Sequence, residues 1–113
     1  MALLKRYNSH PIMEIKGGEY REYNSSYLYQ LDGRFIRRYN STYLYELDGN
    51  LIKEYNGLPV LEFDGKYVRR YNSSYIYEVS GSLIKAYNGL PEYEIDGYLS
   101  GRELMGLIAI LFA

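Results

Sequence analysis

The dipeptide Tyr-Asn recurs at residues 7, 23, 39, 55, 71 and 87, always 16 apart, and a glycine at 17, 33, 49, 65, 81 and 97 keeps the same interval. A unit this short cannot bury its own apolar face, so each copy must lean on its neighbours and the copies must fold together. With 113 residues in all, the chain is one domain with room for a modest core. Any function then belongs to surfaces that exist only once the copies are stacked.

The unit from Tyr39 to Glu54 carries two turn signals. Asp48-Gly49, like Asp32-Gly33, Asp64-Gly65 and Asp96-Gly97, has the composition of a two-residue type I′ hairpin loop, whose central residues both take positive φ. Asn56-Gly57 and Asn88-Gly89 repeat the device, and Asn24-Ser25, Asn40-Ser41 and Asn72-Ser73 are weaker forms of it. Two loops of two residues leave two strands of six in each unit. The pattern predicts twelve strands, near 2–7, 10–15, 18–23, 26–31, 34–39, 42–47, 50–55, 58–63, 66–71, 74–79, 82–87 and 90–95.

Alternation assigns the faces of these strands. On one face Tyr29, Tyr45 and Tyr77 are expected opposite Ile36, Ile52 and Ile84. On the other, a basic row (Lys5, Arg21, Arg37, Lys53, Arg69, Lys85) runs diagonal to an acidic row (Glu14, Glu46, Glu62, Glu78, Glu94, with Gln30 the exception), so that the two rows can neutralise each other. Tyrosine outnumbers all other aromatics, 16 against three phenylalanines and no tryptophan, which suits a thin sheet in which the ring packs and the hydroxyl stays wet. Pro11, Pro59 and Pro91 fall early in three strands, where the missing N–H is expected to open or end the pairing. Twist alone would curl so wide a sheet. The expected fold class is an all-β repeat protein: six antiparallel β-hairpins, about twelve strands, in a closed or nearly closed ring or roll spanning residues 2–97.

After Gly97 the period stops. Ser100-Gly101-Arg102-Glu103 reads as a capping box, and residues 101–112 as a helix with no polar face beyond its first turn. A helix apolar all round must be buried all round. A central plug inside the ring is the first expectation, an interface for a homo-oligomer the second. Membrane insertion ranks last, because a helix of this length is about 20 Å long against a hydrocarbon core of about 30 Å.

The pattern Gly-x-x-Ile-x-x-Tyr-Asn-Gly-x-x-x-Tyr-Glu-Ile-Asp-Gly, from Gly81 to Gly97, resembles the four-fold beta-flower family of short bacterial β-hairpin repeats. The resemblance extends over residues 2 to 97 and implies hairpins arranged radially, with no catalytic residue to carry over. Similar tyrosine-rich hairpins occur in choline-binding modules and clostridial toxins, and in YD repeats. The tryptophans of a choline cage are missing here.

Chemistry is sparse in this chain. Its 13 basic and 14 acidic residues create no net field toward nucleic acid or an anionic membrane, and with no cysteine there is neither a disulfide nor a thiol nucleophile. No cofactor and no metal site is expected. His10, beside a turn, reads as a solvated turn residue, and each Asp before a Gly as turn chemistry rather than a calcium repeat. Arg37-Arg38 and Arg69-Arg70, each followed by Tyr-Asn, lie beside glutamate strands and so read as a self-neutralised face rather than a nucleic-acid patch. The first residues, Met1 to Arg6, contain no apolar stretch of signal length, which makes the cytoplasm the expected location. The expected function is non-enzymatic binding or scaffolding of a protein partner through repeated rim loops. The alternative is a carbohydrate-binding module that stacks sugars on Tyr27, Tyr43 and Tyr75.

Overall fold

A computed structural model describes residues 1–113. The strands are Ala2–Arg6 (β1), Pro11–Lys16 (β2), Glu19–Glu22 (β3), Tyr27–Asp32 (β4), Phe35–Arg38 (β5), Tyr43–Asp48 (β6), Leu51–Glu54 (β7), Pro59–Phe63 (β8), Tyr67–Arg70 (β9), Tyr75–Ser80 (β10), Leu83–Ala86 (β11) and Pro91–Gly97 (β12), followed by one helix, Gly101–Phe112 (α1). Each strand pairs antiparallel with its sequence neighbours, and β1 pairs with β12, so the sheet is a closed barrel. It is a flat one, 36 × 36 × 17 Å. The ring of hairpins that the 16-residue period implies is the fold of this chain.

The loops differ from the expected ones in a consistent way. Asp48 pairs with Leu51, so the two-residue loop is Gly49-Asn50 and the aspartate is the last strand residue. Gly49 has φ 60° and Asn50 is not left-handed, which is the type II′ pattern with glycine first. Type I′ geometry occurs at Gly17-Gly18, where φ is 58° and 77°. At the other loop, the Ser41 amide donates to the Arg38 carbonyl at 2.9 Å, and Asn40 between them has φ 53°. All six Tyr-Asn asparagines are left-handed, with φ from 53° to 57°, whereas Gly57 and Gly89 are not. Asparagine takes this conformation at little cost, so the glycine after it is unnecessary. Long and short strands therefore alternate, with loops of two and four residues between them except for the three residues 64–66 between β8 and β9, and the expected equal strands of six are replaced. A Cβ added at Gly49 meets no atom within 4 Å, so the cost of a side chain there comes first from left-handed strain. Gly49→Val should lower stability by more than about 1 kcal/mol in urea denaturation.

The register also moves. Tyr29, Tyr45 and Tyr77 face Arg38, Glu54 and Ala86 within their hairpins, rather than the isoleucines expected there; Ile36 meets Tyr45 from the other side. Lys5, Arg21, Lys53, Arg69 and Lys85 lie directly opposite Glu94, Glu14, Glu46, Glu62 and Glu78, not on the diagonal. Once per unit the pairing slips by one residue on the strand after the Tyr-Asn turn. These bulges bend the strand and sharpen its twist, the curvature that closure requires. The slip also accommodates the prolines. Pro11, Pro59 and Pro91 open their strands opposite Lys5, Lys53 and Lys85 at the bulge, and pairing continues past them. At the closing seam the Tyr7 amide donates to the Glu92 carbonyl at 2.9 Å, as Tyr23 does to Ile12 at 3.1 Å, so β12 and β1 meet like one more hairpin.

One residue on each short strand, Leu4, Tyr20, Ile36, Ile52, Val68 and Ile84, is fully buried, and long-strand residues such as Ile15, Leu47, Leu61 and Phe63 complete the inner layer. Twelve strands about 4.8 Å apart enclose a ring at least about 18 Å across, wider than a helix of about 10–12 Å. α1 fills that space. Gly106, Leu107, Ile108 and Ala109 are all buried, and four consecutive helical residues cover every side of the helix. Leu104 and Leu111 are only half-buried, because they lie near the two openings. Gly106 cannot carry a side chain: a Cβ there would collide with the Tyr20 hydroxyl and stand 2.7 Å from Ile36 Cδ1. The capping box is present, with the Glu103 amide on Ser100 Oγ at 3.1 Å and the Ser100 amide on Glu103 Oε1 at 3.0 Å.

Candidate binding surfaces

The barrel offers a wall and two faces. One face carries the glycine loops and the entry of α1, where Arg102 donates to the Gly33 carbonyl at 3.0 Å. The other carries the six Tyr-Asn turns, to which the far end of α1 points, with Phe112 stacked on Tyr77 at 3.9 Å between ring centroids.

On the wall, the residue opposite the basic row decides the chemistry. Where that residue is Tyr27, Tyr43 or Tyr75 the base is Arg21, Arg37 or Arg69; where it is proline the base is lysine. Arginine is the better partner for an aromatic face, and its planar group also holds a carboxylate. Arg21 sits 5.7 Å over Tyr27 and Arg37 5.4 Å over Tyr43. Arg21 Nε donates to Glu14 Oε1 at 2.8 Å, a bond that raises the guanidinium pKa, and Arg69 lies 2.7 Å from Glu62. Opposite Gln30, which has no charge to offer, Arg37 turns to Asp32 at 3.6 Å. The pairing of arginine with tyrosine and of lysine with proline is already present in the repeat, six residues apart along the chain.

The three tyrosines proposed as sugar platforms do not converge. Each stands in its own unit, packed against the tyrosine of a neighbouring turn: Tyr27 on Tyr39, Tyr43 on Tyr55 and Phe35, Tyr75 on Tyr67 and Tyr87. Tyr27 and Tyr75 are exposed, whereas Tyr43 is half-buried and donates its hydroxyl to Asp32 at 3.1 Å, which pushes its pKa up. Tyr27 and Tyr43 each have both a neighbouring aromatic ring and an arginine against them. Tyr75 borders a cleft of about 150 Å³ with Asn50, Glu62, Asp64, Tyr67 and Arg69. In that cleft the amides of Lys66 and Tyr67 donate to Asp64 at 2.9 and 2.7 Å, and they hold its carboxyl below the usual range. A larger hollow of about 430 Å³ contains Glu14 and Glu19, but Arg21 occupies Glu14. His10 is exposed in the turn between β1 and β2.

Because the Arg69–Glu62 pair is more than a third exposed on the arginine side, Arg69→Ala is expected to cost less than about 1 kcal/mol in thermal or urea unfolding. A larger loss would mean that the wall pairs hold the barrel shut.

The turn face differs from the wall. Leu58 and Leu90, each before a proline in a Tyr-Asn turn, are 77% and 81% exposed. Neither was singled out by sequence, since a leucine in a repeat of strands reads as core. The molecule is thus a closed repeat barrel whose wall carries six ion pairs and whose turn face exposes Leu58 and Leu90, with Tyr98 and Met1 exposed at the opposite end. Comparison with family models, curated proteins and solved structures finds no match for this chain.

Proposed function

We propose that the protein is a non-enzymatic interaction module that binds a protein partner through the loops of its Tyr-Asn face. The observation that carries this reading is the exposure of Leu58 and Leu90, at 77% and 81%, in turns next to a wall where Arg21 and Arg69 are ion-paired and Tyr27 and Tyr43 are packed against rings. An apolar side chain held almost wholly in solvent is area that a protein partner gains free energy by covering, and the exposed tyrosines of the same turns add the aromatic surface that interfaces favour. Flat rings of hairpins present such loops in fixed positions, which limits the entropy lost on binding. The wall is charged at mid-height, unlike the apolar outer band of a membrane barrel. Quantitative pull-down from extract of the source cell, with wild-type and Leu58→Asp/Leu90→Asp baits, tests the proposal. Partners should be depleted at least tenfold by the double variant; equal recovery on both baits would end it.

A second reading keeps the sugar platform but confines it to Tyr75, whose cleft combines two rings with Asn50, Glu62, Asp64 and Arg69. A glycan array probed with wild type and Tyr75→Ala separates the two: signal lost in the variant favours sugar.

A further inference from the structure

The last residue of each short strand, where the chain enters a Tyr-Asn turn, belongs by alternation to the inward-facing set. Around the ring these residues are Arg6, Glu22, Arg38, Glu54, Arg70 and Ala86. Their sign alternates from unit to unit. Ala86 breaks the series, and beside it Glu92 on β12 restores it, accepting a hydrogen bond at 3.3 Å from Tyr77, the strand partner of Ala86. All six charged residues are exposed, and none takes part in any of the six ion pairs of the structure. The five on short strands sit two strand spacings from one another, about 10 Å, and each side chain extends into solvent rather than to its neighbour in the ring. Inside this circle lies the half-buried apolar end of α1, residues Ile110, Leu111 and Phe112, and on its margin stand Leu58 and Leu90.

We propose that this face docks against the same face of a second copy, the two related by a two-fold axis perpendicular to the barrel axis. The inference rests on the reading of these loops as a protein-binding surface and names the partner. Laying an alternating ring face down on itself leaves six settings, and in alternate ones every arginine meets a glutamate. In those settings the contacts are reciprocal, Arg6 to Glu22 and Glu22 to Arg6, as a two-fold interface demands. The side chains of Ile110, Leu111 and Phe112 meet their counterparts around the centre, ringed by charge as in a protein interface, while the last-turn carbonyls of the two helices face each other across water. A disc 36 Å across presents about 1,000 Å² on a face, against roughly 800 Å² per partner in a standard interface. The apolar centre drives association; the charge ring selects the rotational setting and rejects the others.

Sedimentation equilibrium of the purified full chain should give twice the mass of one chain. A rim made all positive (Glu22→Arg, Glu54→Arg, Glu92→Arg) and a rim made all negative (Arg6→Glu, Arg38→Glu, Arg70→Glu) should each be monomeric, and mixing them should restore the doubled mass. A monomeric wild type, or charge-reversed variants that dimerise alone as well as wild type does, overturns the proposal. Should either triple variant fail to fold by circular dichroism, Leu58→Asp/Leu90→Asp, at exposed positions, must weaken the dimer at least tenfold, and an unchanged dimer is equally fatal. A monomeric wild type whose leucine variant still loses partners in pull-down would remove self-docking while leaving the interaction module intact.

Discussion

Replacing Ile108 with aspartate is expected to unfold the protein. Ile108 is fully buried in an apolar layer whose one hydroxyl, that of Tyr20, is committed to the Glu103 carbonyl, so the carboxylate would find no free donor. An unpaired charge in such an interior costs several kcal/mol, of the same order as the whole stability of a small domain, about 5–15 kcal/mol. Deleting residues 101–113 should have nearly the same outcome, because Leu107, Ile108 and Ala109 are the common surface against which all six units close, and isolated hairpins are marginal. The expected readout is loss of a cooperative thermal transition for both variants. A truncated chain that kept its melting temperature would mean that the ring stands without its plug.

Glu103→Ala should be the next most damaging change. One carboxylate oxygen accepts the Gly18 amide and the other the Ser100 amide, each at 3.0 Å, so a single side chain both caps α1 and fastens it to the β2–β3 loop. The Tyr20 hydroxyl adds a bond to the Glu103 carbonyl at 2.7 Å, and burial pushes the Tyr20 pKa far above the ordinary phenol value. Hydrogen bonds to a charged group contribute roughly 1.5–3 kcal/mol each, and allowing for partial exposure the loss should be about 2–3 kcal/mol. Burial by itself would raise the Glu103 carboxyl, but the donors from Ser100 and Gly18 prevail and hold it below the usual carboxylate range. The folded-state pKa is thus lower than the unfolded one, about 4.3. This contribution is complete above that value and disappears as pH falls through the lower folded value. The stability gap between wild type and Glu103→Gln in urea should accordingly shrink between pH 7 and pH 3; a gap that stayed constant would remove Glu103 as the electrostatic link.

Much of the architecture is periodic information, and periodic information survives in a linear text. Six copies of Tyr-Asn and of the loop glycine set the number of hairpins; Ser100 and Glu103 marked the start of α1; an all-apolar run from Leu104 onward demanded enclosure. Tyr27, Tyr43 and Tyr75 were legible as wall residues because each follows a turn. Which face of each ring stayed free was not, because that depends on arginines one strand away and on tyrosines of adjacent turns.

The count, the order and the antiparallel hairpin character of the strands, together with the need for a buried helix, can all be read from the linear chain. These follow from local propensity and spacing, which act within one unit. Register and surface were decided only in three dimensions. The choice between Asp48-Gly49 and Gly49-Asn50 as the loop turns on which residue takes positive φ at least cost, and the bulge after each Tyr-Asn turn exists because twelve strands must bend to meet. Closure likewise gathers Arg6, Glu22, Arg38, Glu54, Arg70 and Glu92, scattered over 87 positions, into one alternating circle around the end of α1. No local preference of the chain encodes that circle, since each charge gains its neighbours only when β1 finds β12.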